Sequence, residues 1–483
     1  MKCSSSVLVD GRTLSCASVA RVAGAEAEVV LDAAARGRAA DAWHLVKELA
    51  TRRPVYGRTT GVGANRADAV GAVDADTHGH RLLSSHAGGV GPLVSERLTR
   101  AMLVVRLNQL CAGGSGVSPL VIDALRDSLV AGAVPAVHRY GAVGTGDLAA
   151  LAGTALTLTG AQPWRSGHVA PVSFDSDDAL AFISSNALTV AEAVLGYVEL
   201  ARLIDITQVV TALSFLALGG SWEAFAPEVH AARPHPGQRS CAATMRRLLG
   251  IDGGDAPEPG RLQDPFGLRA FPQVHGPAID AMASLEQVLT VEINAAAENP
   301  LVSLPARDVF HHGNFHLAAL ALSLDHARVA AHQTAQLSVA RLGDLVEPEF
   351  TGQPAFLAAG PAGSSGIMIL EYVAHDALAK LRSSLTPLTT GTVVISRGME
   401  DHASFASHAA QELNDTADAY RIILGCELVA AVRALRMRAA AIPGIPVRTA
   451  FELAAAALPS DNEDRPLGAD VETAGALLDE LAL

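Results

Sequence analysis

Residues 134–152 read Val134-Pro-Ala-Val-His-Arg-Tyr-Gly-Ala-Val-Gly-Thr-Gly-Asp-Leu-Ala-Ala-Leu-Ala152. Their centre is the triad Gly144-Thr145-Gly146, flanked by Gly141 and Val143 on one side and Asp147-Leu148-Ala149 on the other. Outward from this segment, residues 1–190 mix short strand-like pieces, glycine-rich turns and helices. Gly57, Gly61, Gly63, Gly88, Gly89, Gly91, Gly113, Gly114 and Gly116 punctuate this part as tight loops.

From Asn186 to Gly219 apolar residues recur at three- and four-residue spacing, the period of a helix. A Gly, Pro and Asp-rich loop, Gly250 to Pro272, interrupts the pattern. It resumes over Ala278–Asn294, Ala318–Leu342, Ser365–Leu385 and Glu400–Ala439. Segments this long and apolar need partners on more than one face. The expected fold is mainly α: a mixed N-terminal domain (1–190), a long central helical bundle (191–440) and a Pro-punctuated C-terminal tail (441–483).

Composition narrows the function classes. The 483-residue chain can bury a large core, and its net charge of −14 disfavours nucleic acid and anionic membranes as partners. Hydrophobic residues make up 49% but aromatic residues only 4%, a mix that suits closely packed helices better than sheets. Cys3, Cys16, Cys111, Cys241 and Cys426 are scattered with no CxxC pair, as expected of reduced thiols in a cytoplasmic protein. The N-terminal residues lack the apolar core of a signal peptide. The apolar run Val209–Leu218 is broken by Thr211 and Ser214 and reads as too short to span a bilayer.

Several further segments fall in one order along roughly residues 50–410. They are Val55-Tyr-Gly-Arg-Thr-Thr-Gly-Val-Gly63, Leu82-Leu-Ser-Ser-His86, Arg106-Leu-Asn-Gln-Leu-Cys-Ala-Gly-Gly-Ser-Gly116 and Ala179-Leu-Ala-Phe-Ile-Ser-Ser-Asn186. Next come Gln263-Asp-Pro-Phe-Gly-Leu-Arg269 with Pro272-Gln-Val-His-Gly276, Glu298-Asn-Pro-Leu-Val302 and His312-Gly-Asn-Phe-His316. Gly352-Gln-Pro-Ala-Phe-Leu357, Ser364-Ser-Gly-Ile-Met-Ile369 and Glu400-Asp-His-Ala-Ser404 complete the series. Together with residues 134–152 they resemble the aromatic amino acid ammonia-lyase and aminomutase family, and its histidine ammonia-lyases in particular.

The resemblance implies an enzyme acting on a small carboxylate substrate, a homotetramer with sites assembled from several subunits, and no external cofactor. In that family an Ala-Ser-Gly triad cyclises and loses two waters to form a methylidene-imidazolone (MIO), an electrophile that takes the substrate amine. By the same resemblance Tyr56 holds the place of the base that removes the β-proton. A phenol with a pKa of about 10 needs help from nearby dipoles or cations for that task. His86 occupies the side-chain selector and Arg269 the carboxylate clamp, a role that suits a bidentate guanidinium. Phe315 packs under cofactor or substrate, and Glu400 stands where histidine-specific members carry glutamate. The triplet His311, His312 and His316 could share a helix face, but no carboxylate follows at ligand spacing and the family motif accounts for the residues. No metal site is therefore expected, and Glu371 with His375 reads as a helix-surface or interface pair.

Three positions depart from the family pattern. The triad lacks serine and its segment is one residue short. Phe266 stands where the family usually has tyrosine. Ser184 replaces the asparagine that bonds the MIO carbonyl, and Asn186 lies two residues on. Thr145 could in principle dehydrate, but the resulting alkene would carry a methyl group and be more hindered and less electrophilic. All three departures fall on groups that make or hold the MIO, so they count against its formation. Three readings follow. The chain is an ammonia-lyase or aminomutase with a variant electrophile. Alternatively it is an MIO-independent relative catalysing a different elimination, isomerisation or cyclisation in specialised metabolism. The third is a non-catalytic scaffold.

Overall fold

The computed structural model describes residues 5–71, 74–251, 261–438, 442 and 444–481. The N-terminal tetrapeptide with Cys3, residues 252–260 of the Gly/Pro/Asp-rich loop and the expected end of the bundle at 439–441 lie outside the described residues. Helices dominate. They run over Ala187–Leu218, Phe271–Asn294, Ala318–Val346, Ile369–Ser383 and Ala406–Met437, close to the spans read from periodicity. Two of these differ instructively. The helix ending at Asn294 starts at Phe271 and takes Pro277 into its interior. The last starts at Ala406 rather than Glu400, because Ile395 and Glu400 pair as an antiparallel bridge and Phe405 has φ +51°.

Contacts divide the chain into two compact units: Met1–Val198 with Leu285–Leu324 and Pro387–Gln411, and Glu199–Ser284 with Asp325–Thr386 and Glu412–Leu483. In the first unit, Ser5–Val9 pairs in parallel with Ala27–Leu31, in register Val7 to Val29. Alternation decides which side chains enter the core. Val7, Val9 and Val29 are buried, whereas Leu8 and Val30 are exposed. Ser15 and Asp32 cap the two helices that follow these strands by accepting from Ser18 N and Ala35 N.

The helix Glu96–Cys111 is buried on nearly every side, so its polar residues must find partners inside. The Arg106 guanidinium donates to Glu298 at 2.7 Å and to the Ala181 and Phe182 carbonyls at 2.6 and 2.9 Å. This buried pair anchors the short helix Asp178–Ile183 from below. Asn108 bonds Ile293 O and Asn294 Oδ1 at 3.0 and 2.9 Å.

In the second unit, Glu427 lies fully buried and accepts from Arg341 Nε at 2.6 Å and from Ser214 Oγ at 2.7 Å. Arg341 also donates to Gly267 O at 3.0 Å, which fixes the helical turn Phe266–Arg269. Removing either partner of such a buried pair would leave an uncompensated charge in the core.

Cys16, Cys111, Cys241 and Cys426 are buried free thiols. The apolar run extends further than Val209–Leu218. By length and composition the segment Asp178–Leu218 is long and apolar enough to cross a membrane. However, 78% of its most apolar window is buried within the protein, as in a core helix.

Candidate active site

A cavity of about 820 Å³ opens in the first unit, lined entirely by residues of that unit. Tyr56, His86, Thr145, Gly146, Ser184, Phe315 and Glu400 line it together.

Tyr56 comes from a loop whose path is set by burial on either side. Val55 is fully buried, and Arg58 donates to Ser115 O and Gly116 O at 3.1 and 2.8 Å. Gly57 has φ +69°, and a Cβ there would lie 2.0 Å from Leu180 Cδ2, so only glycine fits. The chain then folds back, and Gly63 N donates to the Tyr56 hydroxyl oxygen at 2.6 Å. Ser396 Oγ accepts from the next amide, Ala64 N, at 3.0 Å. Ser396 itself sits at φ +53° in the tight turn between Ile395 and Glu400, so this turn latches the tyrosine loop. Burial pushes the Tyr56 phenol above its ordinary pKa, and the Glu400 carboxylate pushes the same way. The Gly63 amide and the Arg66 guanidinium favour the phenolate.

The opposite wall is the glycine-rich triad. The segment 404–407 pins the backbone before it: Ser404 Oγ donates to Gly144 O at 2.9 Å, Phe405 N to Val143 O at 3.0 Å and Ser407 Oγ to Ala142 O at 3.2 Å. Thr145 Oγ1 donates to Glu400 Oε2 at 3.2 Å. Asp147, buried behind the triad, accepts from Thr189 N and Oγ1 at 2.8 Å each, and burial lifts its carboxyl to about 6.

Ser184 Oγ accepts from Asn299 N at 3.0 Å. Asn186 Nδ2 donates to Phe315 O at 2.6 Å, so its amide is turned to Phe315 rather than to the triad. His86 Nδ1 lies 2.9 Å from Leu82 O. That bond assigns the proton to Nδ1 and leaves Nε2 as an acceptor.

Phe266 and Arg269 belong to the second unit and do not line the cavity. Phe266 is 65% exposed, with the Arg269 guanidinium 4.6 Å from its ring centroid. Arg269 Nε donates to Asp264 O at 3.0 Å.

The sequence did not point to Arg66, Ser396 or Asn299 as cavity residues, and it gave His311 and His312 no substrate role. His311 Nε2 accepts from Tyr56 N at 3.3 Å. His312 Nδ1 accepts from Asn314 N at 3.0 Å, leaving Nε2 buried without a protein partner. His316 and His402 pair at 3.0 Å. Among the described residues no three or more His, Cys, Asp or Glu side chains group so as to hold a metal ion. Ser396 and Arg66 enter through backbone folding, which no spacing rule anticipates.

The family model for aromatic amino acid lyases matches residues 14–456. The chain belongs to the aromatic amino acid lyase family.

This lyase is 34% identical to histidine ammonia-lyase of Myxococcus xanthus, over 98% of its own length and 96% of the relative's. Among solved structures it is similar to tyrosine aminomutase from Streptomyces globisporus, with TM-score 0.91, 28% identity and coverage of 98% and 97% of the two chains. It is also similar to the ergothioneine-degrading enzyme ergothionase of Treponema denticola, with TM-score 0.90, 26% identity and coverage of 98% and 99%.

Members of this family normally use the self-derived MIO group, whose central serine is a threonine in this chain. Dehydration of Thr145, which stands at the centre of the triad in place of serine, would leave a methyl-substituted alkene. Thr145, in the serine position, has its hydroxyl on Glu400. The Ser184 hydroxyl already serves Asn299 N.

Proposed function

We propose that this lyase works without an MIO group. In this reading it eliminates a nitrogen leaving group that needs no electrophile from a small, histidine-like carboxylate. The observation that carries the proposal is threonine in place of serine at the centre of the triad, with the Thr145 hydroxyl engaged by Glu400. An electrophile activates an amine by accepting its lone pair. A quaternary ammonium has no lone pair to give and already departs as a neutral tertiary amine. The ergothioneine-degrading neighbour supports this choice, because ergothioneine is a trimethylammonium betaine of a sulfur-bearing histidine.

The chemistry then reduces to proton removal. The Tyr56 phenolate oxygen takes the β-proton, the C–H electron pair becomes the Cα=Cβ bond, and the C–N pair leaves with the nitrogen. In the free protein burial holds Tyr56 as the neutral phenol. A cationic substrate nitrogen beside it favours the phenolate and so switches the base on when the substrate arrives. His86 Nε2 is free to accept from a ring N–H, and Glu400 offers a carboxylate to the cationic end. The same reading makes the protein a cytoplasmic homotetramer, with Phe266 and Arg269 completing the site of another copy.

Peptide mass spectrometry across Gly144–Gly146 tests this directly. The peptide is expected at its unmodified mass. A deficit of two waters would overturn the proposal in favour of an MIO-dependent ammonia-lyase or aminomutase.

A further inference from the structure

Arg66 is the one arginine among the residues that line the cavity, and its charge acts on the Tyr56 phenol. Its backbone N–H donates to Gly63 O at 3.2 Å, and the Gly63 N–H donates to the Tyr56 hydroxyl. The turn that orients the phenol therefore also sets the position of Arg66. No family motif quoted above includes this residue. The cavity's carboxylate, Glu400, forms no ion pair with it within 4.0 Å, although both charges act on the Tyr56 phenol. A cation and an anion thus face one cavity without neutralising each other. Such an arrangement suits a ligand that brings its own charges of both signs.

We propose that Arg66 is an anion-binding residue of this cavity, seating a carboxylate-type group of the substrate while Glu400 faces the substrate's cationic end. This rests on reading the cavity as the substrate site, and it adds a recognition element from the tyrosine loop itself. Guanidinium and carboxylate pair bidentately, which fixes orientation as well as charge. The anion is either the substrate's α-carboxylate or a second acidic group beyond it. Arg66 is exposed at the cavity wall, so solvent screening keeps the effect moderate.

Calorimetric titration with three probes tests the assignment: 4-methylimidazole, imidazole-4-acrylate and imidazole-4,5-dicarboxylate. Arg66→Gln is expected to weaken at least one of the acids about tenfold while leaving 4-methylimidazole unchanged. Arg66→Lys should restore part of the loss. If Arg66→Gln and Arg269→Gln both weaken the acrylate, the anion is the α-carboxylate. If Arg66→Gln weakens only the dicarboxylate, it is a second acidic group. The proposal is overturned if Arg66→Gln leaves both acids unchanged or weakens all three probes alike. It is equally overturned if the unsubstituted protein binds the acids no better than 4-methylimidazole. No turnover is read, so a failure of the elimination chemistry leaves this result standing, and the reverse also holds.

Discussion

The two walls of the cavity stand differently to the family pattern. On one side, the loop Val55–Gly63 keeps its tyrosine, its glycine at φ +69° and the Gly63 amide bonded to the phenol oxygen. On the other, the triad has lost its serine, and the space around Gly144 is closed by Ser404 and the backbone of residues 405 and 406. Under the proposed function, the difference separates substrate handling from electrophile formation. A base needs a positioned oxygen and an electrostatic setting. A backbone cyclisation needs a particular side chain and a particular strain, and one substitution removes either.

The largest expected effect tests the retained wall. Tyr56→Phe should lower elimination by about 10²- to 10⁴-fold while leaving probe affinity intact. Unchanged turnover would remove the phenol from the chemistry and erase the contrast between the walls.

A second test uses pH on the altered wall. Asp147 titrates at about 6 in the folded protein against an ordinary 3.8, because burial disfavours its charge. The folded state holds this proton more tightly, so the contribution to stability is fully present below about pH 3.8 and is lost as pH rises to about 6. Denaturation of the parent protein and of Asp147→Asn at pH 3.5 and 7 should show a stability difference that shifts by about 3 kcal/mol. A constant difference would mean that water reaches Asp147.

Gly144→Ala asks whether the altered wall is as closed as its geometry implies. With φ +88° and Ser404 Oγ 2.2 Å from the new Cβ, urea unfolding should record a loss of about 2–3 kcal/mol. Ser404→Gly in the same chain should return only part of it, since the strained φ and the backbone contacts remain. A fully tolerated alanine would show that Ser404 and the backbone of residues 405 and 406 give way around residue 144.

The smallest effect concerns the latch. Ser396→Ala removes the acceptor of Ala64 N and should cost about 1 kcal/mol, with faster hydrogen exchange at that amide. Unchanged exchange would show that the tyrosine loop holds itself.

Much of the fold was legible beforehand because helices announce themselves through local periodicity. The span Asn186–Gly219 became Ala187–Leu218, and Ala318–Leu342 became Ala318–Val346. Where expectation and structure part at the last long helix, a tight turn that carries no helical period explains it: the Ile395–Glu400 bridge delays the helix to Ala406. The site divides in the same way. Tyr56, Thr145 and Glu400 stand in quotable motifs, and the cavity brings them together. Ser396 and Arg66 carry no motif, because their roles come from a turn that meets the loop only after folding. Asn186, two residues past the departed position, was a plausible substitute by spacing, yet its amide is spent on the Phe315 carbonyl.

The amino-acid order by itself determined the helical architecture, the family and the departures from the MIO pattern, since each depends on residue type and short-range spacing. Only the tertiary structure decided what occupies the space those departures left. Whether a Cβ fits beside Gly144, or whether a hydroxyl at Thr145 is free, depends on chain segments about 260 residues away. Close packing leaves no room for two answers at such a place.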